Sequence, residues 1–395
     1  MYKRVQYQEV KSRLEEPRRF VQVLAGPRQV GKSTLIGQVV DDLSIPFSSY
    51  SADDVPGVSS SWISDVWESV RAQMVIQAEK EHLLVIDEVQ KLDNWSEVVK
   101  KEWDRDTREG RSLKVVLLGS SRLLLKKGLT ESLAGRFELI RMTHWSLQEM
   151  QDAFGWDTDT YIYYGGYPGA ASLVKDEVRW RNYVKDALVE TAISKDVLLT
   201  SNIYKPALMR QLFELGCSYS GELLSLNKML GQLQDAGNVT TLSNYLQILD
   251  QSSLLAGLQK YASDNARKYN SIPKYQVYNN ALKNVYNSAT FLQSRGDPKQ
   301  WGREVESAVG SYLINQAEVI GFKLYYWRDG RDEVDFVIER NNRLVGLEVK
   351  SGRRGMNNGL SVFRDLFKPY RTFVVGTNGI AVDEFLKADI RLLFQ

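Results

Sequence analysis

Gly26, Pro27, Arg28, Gln29, Val30, Gly31, Lys32, Ser33 and Thr34 gather two glycines, a lysine and two hydroxyls into one short stretch. The spacing G-x-x-x-x-G-K-[ST] is that of a P-loop, and its chemistry is phosphate capture. Glycines let the backbone curl so that several N–H groups aim at phosphate oxygens, and a helix starting there adds a favourable dipole. Lys32 is suited to neutralise β- and γ-phosphates, and the Ser33 hydroxyl to ligate Mg²⁺. A second pair of reactive groups, Asp87 and Glu88, follows the apolar run Leu83, Leu84, Val85, Ile86. Asp87 is expected to hold the Mg²⁺ through water, and Glu88 to polarise an attacking water. Ser120 or Ser121, at the end of the run from Val115 to Leu118, could hydrogen-bond the γ-phosphate or the water, or could form a plain serine turn. Arg136 could reach a neighbouring subunit's γ-phosphate as a finger, or make a surface ion pair. ATP with Mg²⁺ is the ligand this chemistry fits.

A second cluster lies near the other end. Residues 333–338 and 344–350 alternate polar and apolar side chains around Asn341 and Asn342, a two-residue hairpin turn. Counting back from that turn, Arg340 faces Arg343, Asp335 faces Glu348, and Glu333 faces Lys350 on the same side. Directly opposed carboxylates repel, so such a pair calls for a cation between them. Mg²⁺ or Mn²⁺ suits oxygen ligands best, with Lys350 beside it to position or activate a water. The plainer alternative is a hairpin with a solvated charged face. Arg328, Arg331, Arg353 and Arg354 flank the cluster and suit phosphate.

The elements needed to hold these groups can be read from periodicity. Apolar runs at 20–25, 83–86 and 115–118 are strand-sized, and helical patterns separate them: Ser33 to about Asp42, residues 62–80, and a stretch through Trp95, Val99 and Trp103. Strands alternating with helices imply a parallel sheet covered on both faces, with the Mg²⁺-holding carboxylate at the tip of the strand neighbouring the P-loop strand. From 146 to 300 the pattern is mostly helical. Residues 205–290 fit three helices and two wing strands, Leu254–Tyr261 and Lys274–Tyr278, as in a winged helix. Residues 239–252, where a reading helix would lie, hold no Lys or Arg, whereas Lys260, Arg267, Lys268 and Lys274 face only Asp264 in the wing stretch. Phosphate contact by the wing is therefore favoured over base readout, with a protein-contact module as the alternative.

Composition narrows the classes. The chain has 395 residues, 43% hydrophobic and 25% charged, with a formal net charge of +2, so bulk charge does not hold it on nucleic acid. One cysteine, Cys217, rules out an intramolecular disulfide, and two histidines argue against zinc. No apolar run approaches a membrane span. The expectation is a soluble cytoplasmic protein.

The sequence resembles the prokaryotic AAA-type ATPases that carry a C-terminal domain of unknown function with a nuclease-like signature. The matching residues are Gly26 to Thr34, Asp87, Glu88, Gln90 and Trp95, Gly119 to Ser121, Ser132 to Arg136, Gly165 to Gly169, Glu333 with Asp335, and Glu348 with Lys350 and Ser351. The resemblance implies an α/β protein: a parallel-sheet AAA-type core at 1–145, a helical lid at 146–203, a winged-helix domain at 204–292, and a PD-(D/E)XK nuclease-like α/β domain at 298–395. In related switch ATPases a Gly-x-Pro motif sets its proline against the adenine, which maps to Pro168, though a simple turn fits the local sequence equally. It favours Glu306 as a further metal ligand beside Asp335 and Glu348, with Glu304 second. Asp335, Glu348 and Lys350 then match the pattern of nucleases that hydrolyse phosphodiesters with a metal, Val334 replacing the usual proline. The implied partners are DNA, cut or merely gripped, and further copies of the chain in a hexameric ring.

Overall fold

The computed structural model describes residues 1–54, 61–119, 132–198, 203–234, 237–263, 271–352 and 358–395. They form two compact units, Met1–Met142 and Thr143–Gln395. The expected lid, winged-helix and C-terminal segments thus share the second unit.

In the first unit α1 (Tyr7–Glu15) precedes β1 (Val21–Ala25), α2 (Lys32–Asp41), β2 (Phe47–Ser51), α3 (Ser61–Ile76), β3 (Glu81–Asp87), α4 (Trp95–Arg108), β4 (Ser112–Gly119) and β5 (Phe137–Arg141). The five strands make one parallel sheet in the order β2-β3-β4-β1-β5. β1, β3 and β4 are the three runs read from sequence, each covered on both faces and therefore almost wholly apolar. β2 and β5 are half-exposed edge strands with mixed composition, which is why no apolar run announced them. One expectation is corrected by the order: the carboxylate strand β3 is not the neighbour of β1, because β4 lies between them. Parallel strands still end on one edge, so the loops after β1, β3 and β4 converge there.

Ile63, Trp67 and Val70 of α3 and Trp95, Val99 and Trp103 of α4 pack on β3 and β4. Beneath them Arg71, fully buried, binds Asp106 at 2.8 Å and Glu102 at 2.7 Å, while Trp67 Nε1 donates to Asp106 at 2.7 Å.

The second unit begins with α5 (Leu147–Phe154), started by a Ser146–Glu149 capping box, then α6 (Thr158–Tyr164) and α7 (Glu177–Asn182). Next come α8 (Pro206–Ser218), α9 (Leu226–Leu230) and α10 (Val239–Gln251), and an antiparallel ribbon of β6 (Leu255–Leu258) and β7 (Lys274–Val277). α11 (Asn280–Asn284) and α12 (Phe291–Gly296) lead to the long α13 (Pro298–Ile320). Asp297 caps α13, Pro298 opens it, and Gly321 at φ +80° ends it, the termini its sequence calls for.

The last part is β8 (Lys323–Asp329), β9 (Asp332–Arg340), β10 (Arg343–Lys350), α14 (Gly359–Phe367) and β11 (Arg371–Gly376), in a sheet ordered β11-β10-β9-β8. β8, β9 and β10 run antiparallel, and β11 pairs parallel to β10. Asn341 and Asn342 both take positive φ, +48° and +62°, as a tight type I′ hairpin requires. The hairpin register runs from Arg343 opposite Arg340 to Leu347 opposite Phe336, as counting from the turn indicates. Among the described residues, no helix is long and apolar enough to cross a membrane.

Candidate functional sites

β1 delivers the chain to Gly26 at the carboxyl edge of its sheet. An added Cβ at Gly26 would lie 2.1 Å from the Met142 carbonyl oxygen, so glycine alone lets the loop leave β1 this close to the end of β5. Gln29 (φ +59°) and Gly31 (φ +90°) then turn the backbone through left-handed conformations into α2. No side chain caps α2, which leaves its first N–H groups at the loop, an anion-binding arrangement.

Lys32 is buried, and its Nζ donates to the carbonyls of Gly26 (3.0 Å) and Pro27 (2.8 Å), which hold the ammonium inside the loop. Ser33 Oγ donates to Asp87 Oδ2 at 2.6 Å. Asp87 Oδ1 in turn accepts from the Glu88 N–H at 2.7 Å, which fixes the carboxylate plane. Glu88 is held in a left-handed backbone conformation (φ +52°), uncommon for a side chain of its kind and found most often where function over-determines the backbone. Its Oε2 accepts from Gln90 Nε2 at 2.6 Å and lies 3.6 Å from Arg28 Nη2. The structure thus brings together Lys32, Ser33, Asp87, Glu88 and Arg28. A hydroxyl beside a carboxylate is a hard-oxygen donor pair that fits Mg²⁺.

Two contributors escaped the sequence reading. Arg4, only 4% exposed, donates from Nη1 to the Val30 carbonyl at 2.6 Å and braces the loop from beneath. No spacing rule links positions 4 and 30, so nothing local in the sequence marks Arg4 as part of the site. Gln90, noted only as part of a matching box, positions Glu88.

The other expected residues fall as follows. Ser120 and Ser121 lie outside the described residues, as do Arg267, Lys268, Arg353 and Arg354. Arg136 makes a two-pronged pair with Asp104 of its own chain at 2.7 and 3.1 Å, and this hydrogen bonding raises its pKa. Thr34 is exposed on the first turn of α2. Pro168 belongs to the second unit, where it opens the short 3-10 helix Pro168–Leu173. The glycines before it are there for close packing: a Cβ at Gly165 would meet Asn279 Oδ1 at 1.9 Å, and one at Gly166 the Trp145 carbonyl at 2.1 Å.

The C-terminal carboxylates meet in the second unit. Asp335 on β9 is partly buried, with 14% of its side chain exposed, and its Oδ2 accepts from the Val349 N–H of β10 at 2.7 Å. Burial, with Glu306 and Glu348 nearby, pushes the Asp335 carboxyl well above the usual carboxylate range, against the pull of Lys274 and the Val349 N–H. Glu306 of α13 joins this group, whereas Glu304, two residues earlier, turns to Lys283 (2.9 Å) and Asn284 (3.0 Å).

The cation among them belongs to the chain itself. Lys274, the first residue of β7 and wholly buried, has its Nζ 2.6 Å from Glu306, 3.7 Å from Asp335 and 3.9 Å from Glu333. It also donates to the Asp335 carbonyl at 3.2 Å. Burial pulls its pKa down, but Glu306, Asp335 and Glu333 together carry it above the ordinary lysine value. The expectation that Lys274 offers itself to phosphate from an exposed wing is therefore corrected. The metal expected on Glu306, Asp335 and Glu348 does not fit the donors as placed, since an ammonium stands among them. Among the described residues no group of three or more acidic, histidine or cysteine side chains is arranged to hold a metal.

A separate cavity of about 760 Å³ opens between the β6–β7 ribbon and the C-terminal sheet, lined by Lys228, Lys260, Tyr261, Arg328, Leu366 and Phe367 among others.

Comparison with known proteins agrees with the first unit. Residues 18–151 match a family model described as an AAA domain. Residues 155–291 and 301–384 match two domains of unknown function, DUF8612 and DUF4143. No curated protein matches the chain. Among solved structures, the Walker-type ATPase PABY2304 of Pyrococcus abyssi is similar at 13% identity and a TM-score of 0.44, over 71% of this chain and 94% of that one. The Thermotoga maritima RuvB Holliday junction branch migration motor gives 19% identity and a TM-score of 0.35, over 64% and 86%. The Aeropyrum pernix ORC1 protein in complex with DNA gives 12% and 0.33, over 73% and 92%. These superpositions are loose. The family match and the observed loop, sheet and carboxylates agree on one statement: residues 18–151 carry an AAA-type domain built on a P-loop.

Proposed function

We propose that this chain hydrolyses ATP at its P-loop and uses the hydrolysis to remodel or move DNA gripped by its second unit. The observation that carries the ATPase reading is the 2.6 Å contact between Ser33 Oγ and Asp87 Oδ2 at the carboxyl edge of the sheet. It brings the two expected Mg²⁺ ligands together from elements 54 residues apart. The backbone N–H groups of the loop and the start of α2 would bind the phosphates, with Lys32 neutralising their charge. Ser33 and Asp87 would hold Mg²⁺, which when bound offsets charge on the β- and γ-phosphates. Glu88, aimed by Gln90 and Arg28, would orient the attacking water and accept its proton at the carboxylate.

The DNA reading draws on Lys228, Lys260 and Arg328 around the ribbon-side cavity, three cations suited to a phosphate backbone. The three helices and ribbon from Pro206 to Val277 follow the order of a winged helix, and the C-terminal sheet would grip rather than cut. Assembly as a ring would supply a finger arginine from a neighbour. ATPase rates against single-stranded, duplex and branched DNAs test this reading: stimulation that weakens steeply with salt is expected, and a rate indifferent to every DNA contradicts it.

A second reading is a nucleotide-dependent switch whose second unit binds protein. Two observations favour it: Arg136 is committed to Asp104 of its own chain, and α10 (Val239–Gln251) carries no basic residue. In that case ATPase activity ignores DNA at all salt concentrations.

A further inference from the structure

The C-terminal carboxylates already hold a cation, and it comes from another element of the same unit. Lys274 starts β7, where its backbone pairs with Leu258 of β6 and bridges to Leu223. Its side chain leaves that ribbon and runs beside Phe336, with Nζ 4.9 Å from the ring centre. It ends 2.6 Å from Glu306 Oε1, with Asp335 and Glu333 within 4 Å. A lysine without exposed surface is rare unless paired, and three carboxylates supply the pairing. One side chain therefore ties together β7, α13 and β9.

We infer that Lys274 is a built-in counter-cation standing where a divalent metal would sit between Glu306 and Asp335, and that it pins the β6–β7 ribbon to the C-terminal sheet. A divalent ion held by both Glu306 and Asp335 would lie about 2.0–2.6 Å from an oxygen of each, in the gap where Nζ stands 2.6 Å from one and 3.7 Å from the other. Two positive centres so close in a buried site would also repel strongly. Metal and lysine are thus mutually exclusive. The centre takes up Mg²⁺ or Mn²⁺ only when β7 withdraws, and with Lys274 seated the domain holds its shape without metal and does not hydrolyse phosphodiesters. This inference concerns the second unit alone and stands whether or not the P-loop turns over ATP.

The test is Mn²⁺ binding to the full chain without nucleotide, read by electron paramagnetic resonance and by melting temperature. The wild-type chain is expected to show no uptake that depends on Asp335 and no Mn²⁺-dependent rise in melting temperature. Lys274→Met is expected to melt lower than wild type, to gain a Mn²⁺ site, and to recover melting temperature with the metal; adding Asp335→Asn should remove that gain. Wild-type uptake abolished by Asp335→Asn overturns the inference, as does a folded Lys274→Met that gains no site. If circular dichroism shows Lys274→Met unfolded, the wild-type comparison with Asp335→Asn decides alone.

Discussion

Replacing Arg4 by methionine removes the guanidinium that braces the phosphate loop while keeping most of the apolar stem. In the structure Arg4 is 4% exposed and its Nη1 donates to the Val30 carbonyl at 2.6 Å, one residue before Gly31. A hydrogen bond to a charged group contributes about 1.5–3 kcal/mol. If that stabilisation serves to hold the loop in its phosphate-binding curl, its loss weakens ATP binding by roughly 10- to 150-fold at about 1.4 kcal/mol per tenfold. Calorimetric titration with a non-hydrolysable ATP analogue and Mg²⁺ measures this, with thermal unfolding run alongside. Arg4→Lys keeps a donor and should recover part of the affinity. An Arg4→Met chain with unchanged affinity would refute the bracing role. If its melting temperature fell while affinity held, Arg4 would support the packing of α1 and not the loop.

Three further outcomes follow from the geometry. Glu88→Gln should keep ATP bound yet lower the hydrolysis rate by roughly 10²-fold or more, seen as phosphate release against nucleotide retention; normal turnover removes Glu88 from the mechanism. Arg71→Met leaves buried Asp106 and Glu102 without their guanidinium, and urea unfolding should show a loss of about 3–5 kcal/mol. A loss below ~1 kcal/mol would mean that the pair adds little to the packing of α3 on α4. Gly26→Ala forces a Cβ against the Met142 carbonyl, so the chain should lose about 1–3 kcal/mol of stability and bind ATP more weakly. Wild-type stability and affinity in that variant would show that the loop leaves β1 with room to spare.

The sequence marked the loop and the carboxylate pair because each is local. A loop of nine residues and a strand-end carboxylate pair each declare themselves through spacing and an adjacent apolar run. The hairpin register was legible for the same reason: Asn341 and Asn342 fix the turn, and the pleat fixes the rest. What sequence could not show was long-range. The place of β4 between β1 and β3 depends on how helices cross the sheet, not on any run of residues. The edge strands β2 and β5 lack the apolar signature because each pairs on one side only. Arg4 under the loop joins residues 26 positions apart. Lys274 is the sharpest case. By composition it belonged to an exposed basic wing, yet it crosses to carboxylates 32 to 61 positions later, and only the packed unit shows that it answers their charge.

The central claim is that the loop from Gly26 to Thr34, with Asp87 beside Ser33, captures Mg²⁺ and ATP. Equilibrium titration of ATP with Mg²⁺ into the full chain, in parallel with Lys32→Ala, measures it directly. Saturable uptake at a single site, lost in Lys32→Ala, is the expected result. Absence of uptake by the folded wild-type chain, or equal uptake by Lys32→Ala, would contradict it.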